Sequence, residues 1–293
     1  MTGSTGFIGL GAIGRPMAVH VAGVPGTVVW NRTAERAREF AQETGATPAG
    51  SIRELVEAVE TVITCLPTSA EVMEVARAAE GAWRAGQLLV DATSGDPAGS
   101  REVAAFLAEA GVGFVDAPVS GGTDGARAGT LTVMLGGDEP WVTRARAVVA
   151  PYAGKVEHVG PIGAAHALKA VNNALLAVNI QAAAEGLAAL VQCGVKAEVA
   201  LEVINASSGR SNVTENLFPE RVVTRAFPRT FRLALLDKDL GVALKVLEET
   251  GVRSGSIRTT REAFARARAA LGEEVDHVEF VKTVEEASGV EIR

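Results

Sequence analysis

Two spacings of apolar residues divide this chain of 293 residues. In the first half, short apolar runs recur at 7–10, 27–33, 61–67, 87–94, 112–122, 130–137 and 155–160, each closed by small or polar residues. Helix-patterned stretches alternate with them, and apolar runs of this length bounded by turn residues suit strands buried on both faces. Such alternation predicts a parallel, doubly wound sheet with its ligand crevice at the carboxyl ends of the strands. After Gly160 the spacing is helical only, with helices predicted over 164–193, 197–207, 235–250, 256–271 and 278–288. The first, stopped by Gly194, would span ~45 Å at the usual rise. Its Ala-rich, nearly chargeless surface predicts a central helix covered by the others. The pattern therefore predicts an α/β domain over 1–160 and an all-helical domain over 161–293, entered by the long helix, with no internal repeat or long linker.

The first strand leads into Gly9, Gly11 and Gly14 and then into a helix pattern, GFIGLGAIGRPMA. In a Rossmann-type domain the first glycine makes a tight turn, the second lets a pyrophosphate approach the backbone, and the third packs helix on strand. Ala12 and Ile13 complete that turn. The strand at 27–33 ends in Asn31, Arg32 and Thr33, where an NAD site usually has a carboxylate for the ribose hydroxyl. Arg32 and Thr33 can both donate to a 2′-phosphate, so NADP(H) is expected over NAD(H); the other reading is that Arg32 is solvated at the start of the next helix. Strand ends also bring together Leu66, Pro67 and Thr68, then Thr93 and Ser94, then Ser120, Gly121 and Gly122. An all-helical second domain on a dinucleotide fold predicts a substrate cleft between the two.

The long helix poses a chemical question, because Lys169 is followed by Asn172 and Asn173 in a run of Ala, Leu and Val. Lys169 and Asn173 lie one turn apart on one face. Burying an ammonium is costly and lowers its pKa, so a lysine there has a partner or a task.

Composition narrows the partners. The net charge is -7 and no Lys/Arg-rich run occurs, so nucleic acid is not expected. Asn179, Gln181 and Glu185 interrupt the long apolar helix, which argues against a membrane span. The N-terminus shows no basic region with a cleavage site, so a cytoplasmic protein is expected. Cys65 and Cys193 are far apart in apolar surroundings and read as buried thiols. The four histidines are scattered, and no His/Asp/Glu cluster has metal-ligand spacing, so metal-free chemistry is expected. His166 reads as packing or helix-end polarity. A long Ala-rich helix needs more cover than a small domain supplies, which predicts a homo-oligomer, dimer or tetramer.

Five stretches in order, GFIGLGAIGRPMA, DATSGDP, DAPVSGGTDGARAGTLTVMLGG, GPIGAAHALKAVNNAL and LLDKDLGVAL, resemble the β-hydroxyacid dehydrogenase family, most closely its 3-hydroxyisobutyrate dehydrogenases. The resemblance covers nearly the whole chain. Ile13, where Met is common, and Asp237 before Lys238 depart from the pattern without touching its catalytic part. The resemblance implies an oxidoreductase that interconverts a short 3-hydroxy acid and its semialdehyde, with 3-hydroxyisobutyrate leading and a role in valine catabolism. Lys169 looks like the catalytic lysine and Asn173 like the residue orienting it. Ser120, Gly121 and Gly122 resemble the loop holding the substrate carboxylate; the alternative is a Gly-rich turn. Thr93 looks like a contact to nicotinamide or its ribose, or else a strand-end cap. By the same resemblance Lys238 reaches toward the cofactor, Asp239 holds structure, and Phe231 lines the nicotinamide end unless it is core. Tartronate semialdehyde or another short semialdehyde would suit the same groups, and a non-catalytic dinucleotide-binding module is the reading from another class. The chain is too short for a 6-phosphogluconate dehydrogenase, and Lys169 argues against an imine reductase.

Overall fold

The computed structural model describes residues 3–23 and 26–293. Its nine-stranded sheet comprises β1 (Thr5–Ile8), β2 (Val28–Trp30), β3 (Thr47–Pro48), β4 (Thr61–Thr64), β5 (Leu88–Asp91), β6 (Gly113–Asp116), β7 (Val119–Ser120), β8 (Leu131–Gly136) and β9 (Ala153–Gly160). Between the strands run α1 (Gly14–Ala22), α2 (Ala34–Thr44), α3 (Ile52–Ala58), α4 (Ser69–Ala78), α5 (Pro97–Ala108), α6 (Gly122–Ala128) and α7 (Trp141–Val149). The order β3-β2-β1-β4-β5-β6 is parallel throughout. Because β2 and β4 flank β1 on opposite sides, the strand order reverses there, and the crevice of such a sheet opens at that reversal.

The apolar runs produce this sheet because successive residues of a strand face opposite sides. Phe7, Val29, Ile63, Leu88, Val90 and Val115 enter one core layer, while Ile8, Val28, Val62, Leu89 and Phe114 enter the other. Both faces are thus covered, as parallel sheets require. The run 112–122 is not one strand: it breaks at Ala117 and Pro118, where proline has no N–H for a ladder. Nor is the sheet parallel to its edge, since β8 runs antiparallel to β6 and β7, with β9 parallel to β8.

The chain forms two compact units, one ending at Lys169 and the other being Ala170–Arg293. The long helix α8 (Ala164–Gln192) gives its first turns to the former and the rest to the latter. The second unit adds α9 (Ala197–Asn205), a π-helical segment Val213–Val223 containing Pro219, α10 (Leu233–Glu249), α11 (Ser256–Leu271) and α12 (Val281–Ser288). Its core gathers Ala174, Ala177, Ile180, Ala184 and Leu187 of α8 with Leu236 and Leu240 of α10 and Phe264 of α11. Phe264 also stacks on Phe280 at 4.3 Å between ring centroids.

Within one chain the long helix is covered on one face only. Leu168 is 44% and Leu175 55% exposed, and Asn172, Asn179, Ala182, Gly186, Ala189 and Cys193 are exposed too. These positions alternate by four and three residues, so they form one stripe, while the opposite face fills the core. The helix is long and apolar enough to cross a membrane by length and composition. Its packed Ala and Ile face and the buried Asn173 make it a core helix instead. The buried-thiol expectation is corrected as well: Cys193 is exposed at the end of the stripe, whereas Cys65 is half-buried against the sheet core.

Candidate active site

The glycine turn after β1 is built by contact. Gly9 has φ +104°, and a Cβ there would lie 2.3 Å from the Cys65 carbonyl oxygen; a Cβ on Gly14 would lie 2.0 Å from that of Gly9. Packing of the protein itself therefore demands both glycines. At Gly11 a Cβ would meet nothing within 4 Å, so the backbone there borders open space that a ligand could approach. The N-terminal N–H groups of α1 follow directly, with no acidic residue in the first turn to oppose an anion. Ala12 is exposed and Ile13 packs against the core. These features fit a dinucleotide pyrophosphate.

Asn31 braces this turn: its Oδ1 accepts from Leu10 N at 3.0 Å and its Nδ2 donates to Thr33 O at 3.0 Å. Arg32 and Thr33 are exposed beside it, and α2 begins at Ala34. Sequence reasoning missed Arg36, which lines a surface recess with Leu10, Gly11, Ala12, Arg15 and Glu39. Its place in the first turn of α2, directly after Arg32 and Thr33, was the available signal.

At the ends of β4, β5 and β6 the side chains bond mainly to backbone N–H groups. Thr93 is fully buried: its N–H donates to Asp91 Oδ1 at 3.1 Å and its Oγ1 accepts from Leu66 N at 3.1 Å. Asp91 also accepts from Thr64 Oγ1 at 2.9 Å. The Thr93 hydroxyl, read as a cofactor contact, is thus engaged within the protein and shapes the segment of Leu66 and the exposed Pro67. Asp116, at the end of β6, accepts from Gly163 N at 2.8 Å and His166 N at 3.0 Å, satisfying two N–H groups that the start of α8 leaves open. Burial raises the Asp116 pKa above the usual carboxylate range, and His166 with the two N–H groups only partly offsets this. Burial, with the charge of Asp91, pushes the Cys65 thiol up to about 12, so it is no nucleophile at neutral pH. Ser120 is half-buried in β7, and Gly121 and Gly122 are exposed with φ +132° and +64°. Backbone N–H groups in such a turn can face a carboxylate without side-chain clutter.

Lys169 is half-buried on α8. One turn on, Asn173 is 4% exposed and donates through Nδ2 to Asp239 Oδ2 at 2.6 Å. Asp239 also pairs with Lys238 Nζ at 3.1 Å, so it holds two residues of the expected site. Phe231 is half-buried and edge-on to His277 at 5.5 Å. Asp276 fixes its backbone, accepting from Phe231 N at 2.9 Å and Thr230 N at 2.7 Å.

The family comparisons match this arrangement. Residues 4–160 match the NAD-binding domain of 6-phosphogluconate dehydrogenase, and residues 163–284 the NAD-binding domain of NADP-dependent 3-hydroxyisobutyrate dehydrogenase. The chain is 36% identical to 2-(hydroxymethyl)glutarate dehydrogenase of Eubacterium barkeri, over 98% of this chain and 96% of that one. It is 34% identical to human mitochondrial 3-hydroxyisobutyrate dehydrogenase, over 81% of this chain and 74% of that one. Among solved structures, Mycobacterium tuberculosis 3-hydroxyisobutyrate dehydrogenase with L-serine superposes with a TM-score of 0.91 at 31% identity, covering 97% of this chain and 99% of that one. With a glycine turn shaped for a dinucleotide, a lysine and asparagine on one helix, and relatives over its whole length, this chain belongs to the β-hydroxyacid dehydrogenase family, oxidoreductases acting on CH–OH.

Proposed function

We propose that the protein is an NADP(H)-dependent dehydrogenase interconverting a short 3-hydroxy acid and its semialdehyde, with 3-hydroxyisobutyrate as the leading substrate. The observation that carries this is the pair on α8: half-buried Lys169, then buried Asn173 held on Asp239 at 2.6 Å. A nicotinamide dinucleotide, when bound, accepts or supplies the hydride. Gly9, Gly11, Ala12, Ile13 and Gly14 would hold its pyrophosphate, with Leu66, Pro67, Thr93, Phe231 and Lys238 around the rest. Lys169 takes the hydroxyl proton in oxidation and returns it in reduction, while Asn173 fixes the donor and acceptor directions around it. Ser120 and the N–H groups of Gly121 and Gly122 bind the carboxylate. NADP is favoured by the exposed Arg32, Thr33 and Arg36 beside the glycine turn, which suit a 2′-phosphate. The apolar stripe of α8 is the surface a second copy would cover in a homo-oligomer, and the cytoplasm is the expected location.

A second reading has its own support: the relative matching nearly the whole chain at 36% identity is named for 2-(hydroxymethyl)glutarate, a larger 3-hydroxy acid with a second carboxylate. The deciding experiment is steady-state oxidation of racemic 3-hydroxyisobutyrate, 2-(hydroxymethyl)glutarate, 3-hydroxypropionate, glycerate and L-serine with NADP and with NAD. The highest kcat/KM on 3-hydroxyisobutyrate with NADP is expected; preference for the glutarate replaces the substrate and keeps the mechanism. Lys169→Ala should lower kcat by ~10²–10⁴ with NADPH still bound. Loss of turnover and NADPH binding together would make the lysine structural. Arg32→Gln should weaken NADP and leave NAD unchanged, and an unaltered preference would sink the phosphate assignment.

A further inference from the structure

His166 lies one turn before Lys169 on α8, is fully buried, and uses every polar group it has. Its N–H donates to Asp116 Oδ2 at 3.0 Å. Its Nε2 lies 2.9 Å from Thr93 O, and since a carbonyl only accepts, Nε2 is the donor. Its Nδ1 lies 2.6 Å from Ser100 Oγ on α5. The partners thus come from the ends of β5 and β6 and from α5, which orients the ring in its plane and along the helix axis. Space for the ring is made by Gly95, where a Cβ would lie 2.9 Å from His166 Cε1. Thr93 in turn accepts the Leu66 N–H on Oγ1 at 3.1 Å. A continuous path of hydrogen bonds therefore runs from Leu66 through Thr93 to His166, and His166 is three residues from Lys169.

We propose that His166 is a positioning residue, tying the Leu66–Thr93 segment to the turn of α8 that carries Lys169, so that cofactor and proton-transfer group keep a fixed register. The proposal rests on the functional reading above, which places Leu66 and Thr93 at the cofactor and Lys169 at the substrate oxygen. Because hydride transfer needs near-contact alignment, a displacement of about 1 Å from a residue outside the chemistry can cost ~10²-fold in rate.

The test compares the full-length protein with His166→Leu, His166→Gln, Thr93→Val and the double variant His166→Leu/Thr93→Val. NADPH affinity is read by fluorescence titration, kcat by steady-state oxidation with NADP, and folding by thermal melts. His166→Leu should weaken NADPH several-fold and lower kcat by ~10–100-fold. His166→Gln, whose amide can still donate to Thr93 O, should recover most of both. Thr93→Val should also weaken NADPH, and the double variant should be no worse than its worse single parent, because the two residues act on one path. If melts shift but the folded protein keeps wild-type NADPH affinity and kcat, or if the two losses simply add, the proposal is overturned. Should Leu at 166 give no folded protein, His166→Asn carries the test: its amide can take the place of Nδ1 beside Ser100 but does not reach the Thr93 carbonyl, and an unchanged kcat and NADPH affinity would be equally fatal. The underlying reading is checked in parallel. A wild-type protein that binds no NADPH, or a Lys169→Ala variant that turns over normally, defeats that reading; an inactive Lys169→Ala beside a wild-type-like His166→Leu defeats this proposal alone.

Discussion

Asp116 in the first unit and Asp276 in the second are both buried beside a histidine, yet their environments act in opposite directions. Asp116, 0% exposed, has two backbone N–H partners, and burial prevails, raising its pKa. At Asp276 burial also pushes upward, but the side-chain hydrogen bond and charge of His277, with the N–H groups of Phe231 and Thr230, outweigh it and hold the carboxyl well below the usual range. Thr230 Oγ1 at 2.9 Å and Val278 N at 3.2 Å add to those donors. Both carboxylates are shut off from solvent, and what sets Asp276 apart is the His277 partner together with its added donors. One aspartate closes the open end of a helix that carries the expected base. The other pins the turn that presents Phe231.

That contrast can be broken experimentally. Asp276→Ala orphans several buried donors at once and should destabilise the protein by about 3–5 kcal/mol, read as a shift in urea midpoint. A loss below about 1 kcal/mol would show that water replaces the carboxylate and that the turn is not held as described. Asp116→Asn keeps one acceptor but sets an NH₂ against a backbone N–H, so a smaller cost of about 1–3 kcal/mol is expected. The smallest effect separates the two by pH. The stability Asp276 contributes is complete above the unfolded carboxylate pKa of about 3.9 and is lost as pH falls below it. Asp116 runs the other way: the folded state holds its proton more tightly, so its contribution declines as pH rises past about 4. Urea midpoints between pH 3 and 7 should therefore depend less steeply on pH in Asp276→Asn and more steeply in Asp116→Asn. Parallel shifts in both would contradict the assignment.

The partners of the residues around Lys169 were less legible than the lysine itself. Lys169 stood out because a charged group in an Ala-rich helix is anomalous at the level of composition. His166 did not, since its partners Thr93, Ser100 and Asp116 are 73, 66 and 50 residues away in sequence. Asp239 likewise acquires its meaning from a bond to Asn173 across 66 residues.

Local pattern alone determined the alternation of strand and helix, the glycine turn and the helical second half, because periodicity and glycine geometry act over a few residues. It also carried the α11 bounds, 256–271, since that helix is amphipathic and ends at Gly272. Tertiary structure decided the rest. Pro118 split one apolar run into two strands, and β8 runs antiparallel to β6 and β7. The π-helical turn around Pro219 and the exposed stripe of α8 depend on what packs beside them, and no short-range spacing encodes that. A hydrogen-bond path through Leu66, Thr93 and His166 exists only once the fold has brought two strand ends and a helix start to one place.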